Sequence, residues 1–138
     1  MLRSRCAPAV AVLAGALLLS GCAQGIPKSP DKTAEYWLRA VGSADPESAC
    51  HLSASNGRPF EPDTPEFREC MTVIDYLSAE SDLSAYAQAT VTGASLGEPG
   101  RATVSAEHIE GVLDTEDLGT MELMEIEGRW YFDADQWW

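Results

Sequence analysis

Basic residues are scarce in this chain. Nine Lys and Arg stand against 22 Asp and Glu, a formal net charge of −13. Such a balance argues against a nucleic-acid partner, whose phosphates are bound through clustered cations. The apolar run near the N-terminus is shorter than the roughly 20 residues a spanning helix needs. Cysteine is sparse, with four residues and no Cys-x-x-Cys spacing. His51, beside Cys50, is the only imidazole nearby, too few ligands for zinc. No metal or cofactor is therefore expected. Neither Ser53 nor Ser55 has the glycine elbow of a serine hydrolase around it. Asp133-Ala134-Asp135 is too short for a calcium loop. There is no internal repeat and no low-complexity segment.

What is present begins with a targeting pattern. Arg3 and Arg5 form a positive n-region, and Ala7 to Leu19 is apolar apart from Pro8 and Gly15. The run ends in Leu19-Ser20-Gly21-Cys22, which resembles the bacterial lipobox. That resemblance implies a diacylglycerol thioether on Cys22, cleavage before it, and often acylation of the new amino group. Two or more acyl chains anchor stably where one does not. The expectation is a lipoprotein signal peptide over 1–21, a tether over 22–30 and a single globular domain over 31–138. It places the domain on the extracytoplasmic face of the cell membrane. The alternative is an ordinary cleaved signal with an incidental cysteine.

Removing 21 of 138 residues leaves 117, enough for one modest core. Seven basic residues then face 22 acidic ones, a balance of −15. Like charge argues against the domain lying flat on anionic lipid. The acidity is dispersed, as on a solvated globular surface. Cys50 and Cys70 remain as an even pair in an exported chain, which reads as a disulfide. Two free thiols and a metal pair are the alternatives. A bridge closing about 20 residues would contribute roughly 3 kcal/mol.

Pro30 opens a first helix over 31–41, with Ala34, Trp37, Leu38 and Val41 on one face and Gly42 as its C′ stop. The size and spacing of Trp37 make it a core anchor. Asp45-Pro46-Glu47 starts a second, short helix ending near Ser53. Asn56-Gly57-Arg58-Pro59 reads as a loop. Thr64 caps a third helix whose face carries Phe67, Cys70, Met71, Ile74 and Leu77. A Cys50–Cys70 bridge would staple helix two to helix three.

From about Ser84 the pattern turns to strands. Tyr86 to Thr92 is strand-like though alanine-rich, and Gly97, Pro99 and Gly100 make a turn. Ala102, Val104 and Ala106 alternate with Arg101, Thr103 and Ser105. His108 to Leu113 continues as strand up to a break at Gly111. Leu118 to Ile126 has Met124 and Ile126 on one face and Met121 and Leu123 on the other, as core rather than binding surface. Glu127-Gly128-Arg129 reads as a hairpin turn before a last strand, Trp130 to Asp133.

This order predicts an α+β fold: three N-terminal helices on a curved antiparallel sheet of about four strands. Ala34-Glu35-Tyr36-Trp37-Leu38-Arg39-Ala40, then Asp45 with Ala49-Cys50-His51-Leu52-Ser53, then Cys70, then Gly128-Arg129-Trp130-Tyr131-Phe132-Asp133 resemble the small nuclear transport factor 2-like lipoproteins of actinobacteria. The resemblance covers about 31–133 and implies a conical fold. It departs in a short spacer before Cys70 and an extra tryptophan pair at the end. The resembled fold also serves isomerases and polyketide cyclases that use a pocket Asp or His as general base. His108, Asp75, Asp133 and Tyr86 are the residue types that would serve here, but no motif matches those enzymes position by position. No catalytic role is therefore assigned. His51 and His108 read as exposed or structural. Trp137 and Trp138 have two open roles: closing the mouth of the cone, or meeting a partner or a headgroup layer.

The expected function is thus non-enzymatic: a membrane-anchored binding or accessory domain for a small apolar ligand or an envelope protein partner. An isomerase or cyclase is the alternative. An open pocket with a buried carboxylate favours the enzyme, an open pocket without one favours ligand binding, and a collapsed pocket with an exposed aromatic patch favours docking.

Overall fold

In the computed structural model, residues 25–80, 82–112 and 118–136 are described. Cys22, Trp137 and Trp138 lie outside them. Helix α1 spans Pro30–Gly42. Its inward face buries Ala34, Trp37, Leu38 and Val41, the positions the helical spacing selects. Helix α2, Pro46–His51, starts where Asp45 accepts from the Ser48 N–H at 3.1 Å. Helix α3, Pro65–Glu80, starts where the Thr64 hydroxyl oxygen accepts from the Phe67 N–H at 3.2 Å. It buries Phe67, Cys70 and Ile74, while Met71 and Leu77 lie half-buried at its margin. Cys50 and Cys70 are joined as a disulfide with Cα atoms 6.0 Å apart, stapling α2 to α3.

Strands β1, Ser53–Ser55, and β2, Arg58–Pro59, lie between α2 and α3. After α3 come a 3₁₀ turn over Ser84–Gln88, then β3, Thr90–Val91, and β4, Ser95–Leu96. Next are β5, Arg101–Val104, a 3₁₀ turn over Ala106–His108, and β6, Ile109–Glu110. The chain closes with β7, Met121–Ile126, β8, Arg129–Asp133, and a 3₁₀ turn over Ala134–Gln136. One sheet runs β2-β1-β8-β7-β5-β4, and β3 pairs with β6 in a separate two-stranded ladder.

The elements are α+β, but the expected arrangement is overturned. The helices are not three N-terminal ones on an antiparallel sheet of about four strands. A hairpin separates α2 from α3, and the sheet has six strands. It is also mixed, because β1 pairs parallel to β8, Ser53 opposite Phe132. The cause is local at one point and non-local at the other. Asn56 and Gly57 take φ of 51° and 72°, the twin left-handed pair of a two-residue hairpin turn. They fold β2 back on β1 where a loop was expected. The parallel partner of β1 lies about 80 residues away in sequence, beyond the reach of any local pattern. Tyr86 to Gln88 and Ala106 to His108 form 3₁₀ turns, not strands.

The sheet has two faces. Ala102, Val104, Met121, Leu123, Trp130 and Phe132 join the α1 residues in the main core. Ala54, Met124 and Tyr131 form a smaller cluster, with Ile26 and Ile126 packed against it. The alternation expected for β5 and β7 is observed, and Glu127-Gly128 forms the expected turn with φ of 53° and 77°.

Candidate functional site

The interior comes first, because the expected conical pocket would lie there. Trp37 fills it. Its ring stacks on Phe132 with centroids 4.0 Å apart, and its indole N–H donates to Ser53 at 3.1 Å. The Ser53 hydroxyl donates onward to the Ala49 carbonyl at 2.8 Å. The void left beside Trp37, Cys70, Ile74 and Phe132 is about 10 Å³, no more than one water needs. A packed aromatic pair of this kind stabilises by about 1 kcal/mol beyond its burial. Ser53 is a strut under this stack and has no nucleophile's exposure.

The residue types that would serve catalysis stand on separate elements. Asp75 is exposed on α3, and Tyr86 is buried under α1 in the first 3₁₀ turn. His108 sits after β5 with its Nδ1 3.2 Å from the Ser105 hydroxyl. Asp133, at the end of β8, is 5% exposed. One of its carboxylate oxygens is ion-paired to Arg101. The other accepts from the Asp135 N–H at 3.0 Å. Both oxygens are thus committed, one to β5 and the other to the closing turn. His51 is exposed, its ring edge-on to Phe67 at 5.0 Å. Among the described residues no cluster of three His, Cys, Asp or Glu gathers to hold a metal.

Sequence reading missed Glu35. It is 3% exposed on α1, with Lys32 at 3.0 Å and Arg39 at 3.4 Å. It also accepts from the Val91 N–H at 3.3 Å. Glu35 therefore ties α1 to β3. Lys32 and Arg39 lie three residues before and four after it, the helical ion-pair spacing that was available as a signal. The Glu35 carboxylate beside Lys32 raises that ammonium above its ordinary pKa, through a hydrogen bond first and charge second.

Among the described residues, two surface grooves lie at opposite ends of β8. The first, about 480 Å³, lies at the start of the described chain. The Arg129 guanidinium donates to the Ile26 carbonyl at 2.8 Å, and the Trp130 N–H to the Pro27 carbonyl at 3.0 Å. The Thr33 hydroxyl donates to the Trp130 carbonyl at 2.9 Å. These bonds seat residues 26–27 against the N-terminal end of β8. Lys28, Lys32, Tyr36 and Arg129 line the resulting groove. The second groove, about 570 Å³, lies between the β1–β2 hairpin and the start of α3, lined by Ser55, Arg58, Phe60 and Glu66 among others. The Asn56 N–H donates to Asp135 at 2.8 Å, and Ser55 bonds the same carboxylate. This groove therefore belongs to the C-terminal end of β8. At about 3.3 Å per residue, the two ends of β8 lie roughly 13 Å apart.

Comparison with known proteins finds no matching family model, no matching curated protein and no matching solved structure. The resemblance to nuclear transport factor 2-like lipoproteins therefore rests only on the residues quoted for it.

Proposed function

We propose that this chain is a lipid-anchored extracytoplasmic accessory domain, held by Cys22 and acting through its outer surface on an envelope protein. The observation that carries the reading is the placement of the two ends of β8. Residues 26–27 are bonded to one end, and Cys22 precedes Gly25 by three residues. A chain of that length reaches about 10 Å at most. An acylated Cys22 would hold that end close to the bilayer. The hairpin groove at the other end then faces away from it, with polar and apolar groups mixed in the manner of a transient protein interface. Trp37 packed on Phe132 supports docking over a small apolar ligand, and among the described residues the types that would serve an isomerase or cyclase stand on separate elements.

The test is expression of the full chain in a bacterial host with a photo-crosslinking residue at the exposed position Glu61. The expected result is an intact mass showing acylation at Cys22 and a discrete protein adduct at position 61. The Cys22→Ser chain should show neither. An unacylated chain in the soluble fraction refutes the anchor, and an acylated chain with no adduct refutes the protein partner.

A further inference from the structure

We infer that the groove of Lys28, Lys32, Tyr36 and Arg129 binds the phosphate of anionic phospholipid headgroups in the membrane that holds the chain, and so sets the orientation of the domain. This inference rests on the anchored reading above and deepens it. The distribution of cations carries it. Lys28 and Lys32 are the only lysines in the sequence, and both line this one groove. With Arg129 they make three of the seven basic residues that follow Cys22, in a chain otherwise carrying 22 acidic ones.

Of the other four arginines after Cys22, three are committed within the fold, and Arg58 lines the hairpin groove. Arg39 bonds Glu35 and the Ala89 carbonyl, Arg68 the Asp63 carbonyl, and Arg101 pairs with Asp133. Among the described residues no ion pair engages Lys28 or Arg129, while Lys32 shares its charge with buried Glu35. A lysine ammonium is a compact, mobile point charge, suited to headgroup phosphates that vary in position. Tyr36, 45% exposed beside them, has the amphipathic ring that sits well at headgroup depth.

Location makes the ligand specific. The groove is formed by the residues immediately after the anchor, so bilayer phosphates are the anions it would meet at highest local concentration. The acidic remainder of the surface is repelled by the same lipid. Attraction at one end and repulsion elsewhere give the anchored domain a single stance, hairpin outward.

The lysines supply their own probe. The full chain, purified from a lipoprotein-processing host, is reconstituted into phosphatidylcholine vesicles with or without phosphatidylglycerol. Acetylation of Lys28 and Lys32 by an amine-reactive ester is then followed by peptide mass spectrometry. With phosphatidylglycerol at about 30%, labelling should slow roughly fivefold, the effect of one cation held near an anionic surface. About 1 M salt should restore it, since the Debye length falls to about 3 Å. Lys28→Gln should lessen the protection of Lys32, because the two share one bound phosphate. Equal labelling in the two vesicle types, in a chain that floats with both, overturns the inference and leaves the anchor standing. Protection of Lys32 unchanged in Lys28→Gln also overturns it. A chain without acyl mass that floats with neither vesicle removes the anchor, and the inference with it.

Discussion

Gly42 is the last residue of α1, and a methyl group there would change the stability of the domain. Two effects oppose each other. Alanine is the better helix former by about 1 kcal/mol at an interior position, and by less at a terminal one. Against that, an ideal Cβ at Gly42 would stand 2.1 Å from the Ala87 nitrogen, 2.5 Å from the Tyr86 carbonyl carbon and 2.9 Å from the Ala87 Cα. All three are backbone atoms, so no rotamer change relieves the clash. Ordinary contact begins at 3.4 Å, so α1 and the Ser84–Gln88 turn must separate by about 1.3 Å. That separation loosens Tyr86, which is 7% exposed. Overpacking of this kind costs about 1–3 kcal/mol or more. The steric effect wins, and Gly42→Ala should destabilise by roughly 2 kcal/mol, lowering Tm by about 8–15 °C for a domain near 100 residues. Thermal and urea unfolding followed by circular dichroism, with the disulfide intact, measure it. A Gly42→Ala chain as stable as the parent would refute the close approach of the turn to the helix.

Other perturbations test separate links. Replacing Cys50 and Cys70 together by serine should cost about 3 kcal/mol, read as a lower urea midpoint, with the parent shifting to match on reduction. Glu35→Ala leaves the Val91 N–H without its acceptor and should cost roughly 2 kcal/mol, with faster hydrogen exchange at Val91. Burial raises the pKa of Tyr131 above 10.0, offset in part by Arg129. The fold thus binds this proton more tightly than the unfolded chain. Its contribution is fully present below the unfolded value and is lost as pH rises through the folded one. A tyrosinate absorbance titration should show a late phase, and Tyr131→Phe should remove it.

What the sequence by itself determined is everything written in local periodicity and local chemistry. The helical spacing of Trp37, the proline and acid at the start of α2, and the Thr64 cap located three helices to within a residue or two. Cysteine parity pointed to the α2–α3 bridge, and alternation sorted the two faces of β5 and β7. Gly42 was legible as a glycine position but for the wrong reason. Ala44 takes the left-handed φ of 52° after the helix, and Gly42 is needed for the close approach of Ala87. Tertiary structure alone decided the rest. Strands of two or three residues, such as β2, β3, β4 and β6, are too short to show a period. The parallel seating of β1 on β8 joins segments that carry no mark of one another. The same strand fixes the two grooves at its ends and gathers Lys28, Lys32 and Arg129 across about 100 residues of chain. Their meeting arises from the bonds of Ile26 and Pro27 to β8, because a charge cluster assembled across a sheet leaves no run in the sequence.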